Sequence, residues 1–288
     1  MDALQIHPPI AWEDAACPFC AGRRRTTVVA PPDPALPCRV VRCGDCGLAY
    51  THPRPSPASV AALYPDDYAP HAPRPKQSRR SIVASVLPAP GRLLDFGCGA
   101  GSLLRQLHRR GWHVTGMDLS PRAVRHVREE LGFDAIEGTL PHPHLAPASF
   151  DAITMIEALE HVHDPLGVLR AARDLLTPGG TLAITVPNLD SLSFHWFGAA
   201  WYGLDLPRHL THFEPLTLVR MLEEADLHVE QLRPIRHNSW LRHSAARATA
   251  PPIWCRLLRH RLAAGVAGWY GALRMRGNGM LAVAVRPR

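Results

Sequence analysis

Four groups of residues in this 288-residue chain have types and spacings that could do chemistry. The first is the loop Gly97-Cys98-Gly99-Ala100-Gly101, preceded by the apolar run Leu93-Leu94-Asp95-Phe96 and followed by Ser102-Leu103-Leu104. A strand, a glycine turn and a helix start let the backbone approach a ligand closely, and the helix end aims unpaired N–H groups at the same point. That arrangement suits a nucleoside-type cofactor with a polar tail. Asp95 stands at the end of the strand. A second strand, Trp112 to Met117, ends at Asp118, where a carboxylate can accept hydrogen bonds from two ribose hydroxyls. The loop alone would serve a dinucleotide, S-adenosylmethionine (SAM) or a plain tight turn. The acidic residue after the second strand favours a nucleoside site.

The second group is Cys17-Pro18-Phe19-Cys20 with Cys43-Gly44-Asp45-Cys46. Two such knuckles at this separation read as a tetrahedral zinc site built from Cys17, Cys20, Cys43 and Cys46. So short a segment cannot bury enough apolar area to fold alone, so the metal would supply its folding energy. Disulfides are the alternative, against which the expected compartment weighs. Cys38 reads as a spare, a free thiol or else a swapped ligand; Cys98 and Cys255 have no motif partners and read as small apolar filler. The third group is Glu157-Ala158-Leu159-Glu160-His161. If a helix starts there, Glu157, Glu160 and His161 share one face at i, i+3 and i+4. Two carboxylates and an imidazole so placed could hold a divalent metal, form an acid/base pair, or cap and tie the strand end. The fourth is Pro207-Arg208-His209-Leu210-Thr211-His212-Phe213, whose arginine and histidines could do general-base or anion-binding work.

The ordered strings L-L-D-F-G-C-G-A-G, G-M-D-L-S, F-D-A-I-T-M-I-E-A-L-E-H-V-H-D-P and L-T-P-G-G-T-L-A-I-T-V-P-N resemble the motif set of class I SAM-dependent methyltransferases, over roughly residues 78 to 230. The resemblance implies an α/β fold: a Rossmann-like seven-stranded methyltransferase sheet, here with a small N-terminal zinc ribbon. It also implies SAM as cofactor, held by Asp95, Gly97, Cys98, Gly99, Gly101, Asp118 and Leu119, with Gly138, Thr139 and Leu140 flanking the adenine. The E-x-x-E-H-V string is similar to that of the ubiquinone-pathway O-methyltransferases, in which the matching residues bind a divalent ion beside a catechol-type hydroxyl. By that likeness Glu157, Glu160 and His161 are the candidates for a metal or an acid/base set. The P-R-H-L-x-H-F string also recurs in a subset of these enzymes, and it would put Arg208, His209 and His212 at the active-site mouth. Tyr64 and Tyr68 resemble a Y-x-x-x-Y element that lies across that mouth in zinc-ribbon relatives; two aromatics packing a linker onto the core is the other reading.

These residues need elements to carry them. The expected division is a zinc ribbon at 1–50, a proline-rich linker at 51–76 with a short helix near 58–63, and the methyltransferase domain at 77–288. A first core helix is expected over 77–87. Ser120-Pro121 opens another, since serine caps and proline fits the first helical position. Strands are expected at 133–138, 150–156, 181–186, 227–232 and 279–285, with helices at 165–176 and 217–225. The aromatic stretch 191–202 reads as a flexible lid or substrate wall. Residues 240–275, with many arginines and aromatics and broken by Pro251-Pro252, read as a helical insertion before the last strand: a substrate cap, a dimer face or a peripheral membrane patch.

Composition narrows the class. With 46% hydrophobic residues a sizeable core is available, and no apolar run reaches the ~18 residues of a membrane span. Without a signal-peptide pattern the expected compartment is cytoplasmic. The net charge is +7, mostly arginine, and permits an acidic partner; the basic residues read as scattered, a compositional bias rather than a nucleic-acid stripe. The expected function is SAM-dependent methyl transfer to a small-molecule acceptor: O-methylation of a secondary metabolite, sugar or lipid-linked intermediate. His161, His209 or His212 would serve as the base, with Glu157 and Glu160 beside them. The alternative is an RNA- or protein-modifying methyltransferase gripping its substrate with ribbon and arginines. A third reading is a binding module that keeps SAM as a structural ligand. Glu157-Ala158-Leu159-Glu160 stands where amino-methylating enzymes of nucleic acids often carry an N/D-P-P-Y/F tetrad. No pattern in the chain assigns an oligomeric state.

Overall fold

The computed structural model describes residues 10–31, 33–64, 82–249 and 253–288. Tyr68, residues 77–81 of the helix expected at 77–87, and Pro251-Pro252 lie outside them. The chain begins with β1 (Trp12–Glu13), β2 (Arg25–Val29), β3 (Arg39–Cys43), β4 (Ala49–His52) and β5 (Arg54–Pro55). The core follows with β6 (Arg92–Phe96), α1 (Ser102–His108), β7 (His113–Asp118), α2 (Pro121–Glu129), β8 (Asp134–Glu137), β9 (Phe150–Ile156), α3 (Pro165–Leu175) and β10 (Leu176–Pro187). The remainder is α4 (Leu192–Phe197), β11 (Thr211–His212), α5 (Pro215–Glu224), β12 (His228–Ile235), α6 (Asn238–Arg247), α7 (Ile253–Leu257), α8 (Arg261–Leu273) and β13 (Gly279–Val285).

Seven strands form one sheet in the order β12-β13-β10-β9-β6-β7-β8. From β8 to β10 the pairs are parallel, and β13 runs antiparallel to both β10 and β12. Sequence order reverses beside β6, so the carboxyl ends of β6 and β9 flank a topological switch point, where open α/β sheets bind their ligands. The central strands are mainly apolar, as strands buried on both faces are: Leu93, Leu94, Ile153, Leu182 and Ile184 are all buried. Helix starts follow local chemistry. The Ser120 hydroxyl accepts from Ala123 N–H, and Asp164 accepts from Gly167 N–H ahead of Pro165. Pro178-Gly179-Gly180, between the expected helix at 165–176 and strand at 181–186, form an irregularity inside β10, whose register against β9 shifts between Leu176 and Thr181.

Three findings concern what surrounds the sheet. Residues 51–55, expected as linker, end β4 and form β5, which pairs with β1; the short helix beyond is a 3₁₀ turn, Pro57–Leu63. The ribbon is also tied to the core. Its sheet runs β11-β4-β3-β2, so Thr211–His212, far along the chain, supply its edge strand. Arg42 pairs with Glu214 (2.6 Å), Arg220 donates to the Cys46 carbonyl (2.9 Å), and Tyr50 and Leu48 pack in one cluster with Phe213 and Met221. The 191–202 stretch is no loose lid. Ser191 caps α4, and Trp201 is 1% exposed, its ring edge-on to Trp240 and Phe194. Burying that much aromatic area against α6 makes it core.

Candidate functional site

The loop after β6 is a run of left-handed turns. Gly97, Gly99 and Gly101 have φ of 72°, 50° and 65°. Side chains are strained there, and a Cβ on Gly97 would stand 2.8 Å from that of Ala158. Cys98 is 1% exposed and packs its sulfur against Gly116 of β7. Asp118 holds the loop in shape: Gly99 N–H donates to one carboxylate oxygen and Ser120 N–H to the other, both at 2.8 Å. Each oxygen keeps lone-pair capacity for a ribose hydroxyl. Asp95 is buried and accepts from Thr154 Oγ1 at 2.7 Å. Leu119 is exposed, and Gly138, whose N–H donates to the Asp118 carbonyl, brings Thr139 and buried Leu140 to the same rim. A loop that tolerates no Cβ at Gly97, beside a carboxylate held by backbone donors, fits a nucleoside cofactor such as SAM.

Across the switch point the acidic group takes a different form from the expected helix face. Glu157 has φ 54°, so the chain turns left-handed at the end of β9 and continues as the 3₁₀ turn Leu159–His161. This separates Glu157 from its expected partners: its Oε1 lies 3.8 Å from His237 Nε2. The group that gathers is Glu160, His161 and His209, each with a ligand-type atom within 4.8 Å of the others. The set expected from sequence therefore exchanges Glu157 for His209. His209 comes from the loop before β11, and only the fold brings it in.

His161 Nδ1 lies 3.1 Å from Arg208 O and 3.0 Å from the Tyr64 hydroxyl: it donates to the carbonyl in one tautomer and accepts from the hydroxyl in the other. A carbonyl only accepts, so His209 Nδ1 donates to Gly203 O (3.0 Å), and its Nε2 lies 4.0 Å from Glu160 Oε1. Burial lowers the pKa of His161, and burial with the neighbouring His161 drives that of His209 well below its usual value; both rings are neutral near pH 7. Glu160 is fully buried, and neither carboxylate oxygen finds a hydrogen-bond donor among the described residues. Burial, then the charge of Glu157, raises its pKa well above the ordinary range. Asp205 behaves oppositely. Burial opposes its ionisation, but two hydrogen bonds from Arg208 (2.8 and 2.6 Å) and the neighbouring imidazoles hold it at about 2.

His212 departs from expectation. It is 4% exposed, paired through Nε2 with Thr51 Oγ1 at 3.0 Å, and burial drags its pKa down to about 3. It ties β11 to the ribbon instead of facing the mouth. In the ribbon itself, Cys17, Cys20, Cys43 and Cys46 converge with their sulfurs within 4.8 Å of one another, a donor set that fits tetrahedral zinc. Two further residues belong to the neighbourhood. Asp205 positions Arg208, and His237, stacked on Trp240 (4.1 Å), faces Glu157. Neither carries a motif; Asp205 at i−3 from Arg208 was the one local signal available.

Comparison with known proteins agrees with this geometry. A family model described as a methyltransferase domain matches residues 68–232. The ubiquinone biosynthesis O-methyltransferase of Xanthomonas campestris pv. campestris (strain B100) is 33% identical over 178 residues, spanning 56% of this chain and 73% of the relative. Among solved structures, a chain from the complex between the Haloferax volcanii Trm112 methyltransferase activator and a putative methyltransferase superposes with TM-score 0.56 at 20% identity, covering 72% of this chain and 88% of that one. The [4+2]-cyclase SpnF gives 0.52 at 22% identity over 73% and 80%. These two likenesses speak for the fold alone. The sequence match over more than half the chain, on a sheet of this strand order, decides the family: the chain belongs to the class I SAM-dependent methyltransferases.

Proposed function

We propose that the chain methylates a hydroxyl oxygen of a small-molecule acceptor, with His161 as the general base. The observation that carries this is the gathering of the neutral imidazole of His161 with Glu160 and His209; in the tautomer whose Nδ1 proton goes to Arg208 O, its Nε2 is open to accept. The relatives named for ubiquinone-pathway O-methylation support an oxygen nucleophile. SAM, when bound, supplies an electrophilic methyl on sulfonium. The loop Gly97–Gly101, Asp118 and Leu119 would hold it, with Gly138, Thr139 and Leu140 at the adenine end. His161 Nε2 takes the acceptor's hydroxyl proton. Glu160, its pKa held well above the ordinary range by burial, stands with Oε1 4.0 Å from His209 Nε2. Zinc on the four cysteines would have a structural role, holding β4 against β11.

A second reading gives Glu160, His161 and His209 a divalent cation, which would orient and acidify the acceptor hydroxyl. The buried Glu160 oxygens without donors favour it. One assay series separates the two. The zinc-loaded enzyme is offered catechols and other phenols with radiolabelled SAM, with and without added magnesium. Transfer that ignores magnesium, and falls at least a hundredfold in His161→Ala, supports the metal-free base. Transfer that requires magnesium supports the cation reading, and unimpaired transfer in His161→Ala sinks both.

A further inference from the structure

The chain's charge is lopsided in a way its overall value hides. Residues 231–288 hold 11 of the 32 basic side chains and no aspartate or glutamate. The first 230 residues therefore carry 21 basic against 25 acidic groups. The whole positive excess sits on the last fifth of the chain, correcting the view of its arginines as scattered. That fifth includes α6, α7 and α8.

On α8 the usual amphipathic order is inverted. Ala264, Gly268 and Gly271 face inward, and a Cβ on Gly268 would collide with Asn238 Oδ1 at the start of α6. Small residues thus let α8 lie flush on its neighbour. The large residues face solvent: Leu262 is 86% exposed, Val266 69%, Trp269 55% and Leu273 61%. Their spacing of four, three and four places them in one stripe along the helix. Trp254 and Leu257 extend the apolar surface onto α7. Exposed Arg256, Arg259, Arg261 and Arg274 border it, Arg274 lying over the Tyr270 ring at 5.3 Å. No helix among the described residues is long and apolar enough to cross a membrane.

We infer that α7 and α8 form a peripheral docking face for an anionic lipid bilayer, with the stripe seated among the headgroups and the arginines on their phosphates. Charge decides the occupant. A second copy would set one carboxylate-free cationic face against another, whereas acidic lipid supplies the missing counter-charge. RNA would supply it too, but it has no use for a stripe of leucine and valine, which a bilayer interface rewards. Tryptophan and tyrosine beside arginine are the side chains that settle at such interfaces.

The test is co-sedimentation of the full-length, zinc-loaded protein with vesicles of phosphatidylcholine alone or mixed with phosphatidylglycerol. Binding should appear with the mixed vesicles, weaken as salt rises, and drop about tenfold in the double variant Leu262→Glu/Val266→Glu. Both positions are exposed, so the variant should keep the parent's melting temperature and SAM affinity. Equal binding to phosphatidylcholine, or mixed-vesicle binding untouched by the double variant, overturns the inference. So does a parent protein that ignores vesicles and forms a dimer the variant abolishes, or one that binds single-stranded RNA in its place.

Discussion

The two sides of the switch point are built on opposite plans. The cofactor side, from Gly97 to Asp118, is made of backbone: left-handed glycines, a carboxylate held by two N–H groups, and side chains turned inward. All of it comes from one strand–helix–strand unit. The acceptor side is made of side chains from far apart: Tyr64 after the ribbon, Glu160 and His161 after β9, and Arg208 and His209 before β11. Its groups are buried, and their proton affinities are displaced. A backbone site is insensitive to its surroundings because each donor is fixed by local dihedrals. A site of buried imidazoles and a carboxyl depends on whatever keeps those distant segments in register; here the four-cysteine ribbon pairs β4 with β11, and Leu210 N–H donates to Glu160 O at 2.7 Å.

The sharpest way to break this contrast is to take out the metal expected on those cysteines. Chelating zinc, or Cys43→Ser, should release β4 from β11 and abolish methyl transfer, while SAM affinity, read by calorimetry, changes less than about tenfold. Equal loss of both would mean the two sides are one unit. Next in size is His161→Ala, expected to lower kcat by about 10²–10⁴ with the SAM dissociation constant unmoved. Asp118→Ala is its mirror image. Loss of charge-assisted hydrogen bonds, including those that hold the loop, should weaken SAM about 10- to 100-fold, with kcat at saturation far less affected.

Acid stability offers a subtler probe. His212 is buried and neutral, with a pKa near 3 against 6.5 when free. Between those values the unfolded chain binds more protons, so stability is lost as pH falls from 6.5 toward 3. His212→Asn should flatten the pH dependence of urea unfolding by about 1.4 kcal/mol per pH unit within that window. Smallest is Arg42→Ala. Its pair with Glu214 is part-exposed, so the expected cost is about 0.2–1 kcal/mol, read from the thermal midpoint. A much larger cost would mark this pair, rather than the β4–β11 ladder, as the main tie between ribbon and core.

Local features were legible in the chain. Strand periods, the Ser120 and Asp164 caps, the glycine loop and the two cysteine knuckles each rest on residues within a few positions of one another. Backbone sterics and short-range hydrogen bonds act at that range, so these features could be read directly. Tertiary structure decided the rest. The left-handed turn at Glu157 broke the helix face that spacing suggested, because β9 must end and clear the loop at Gly97. His209 joined Glu160 and His161, while His212, three residues on, was turned under the ribbon. The aromatic stretch at 191–202 became core because α6 lay against it, and α8 kept its large side chains outward because α6 could admit only small ones. Which neighbour lies across from a side chain sets its burial, its proton and its role, and that neighbour is fixed only when distant segments close on one another.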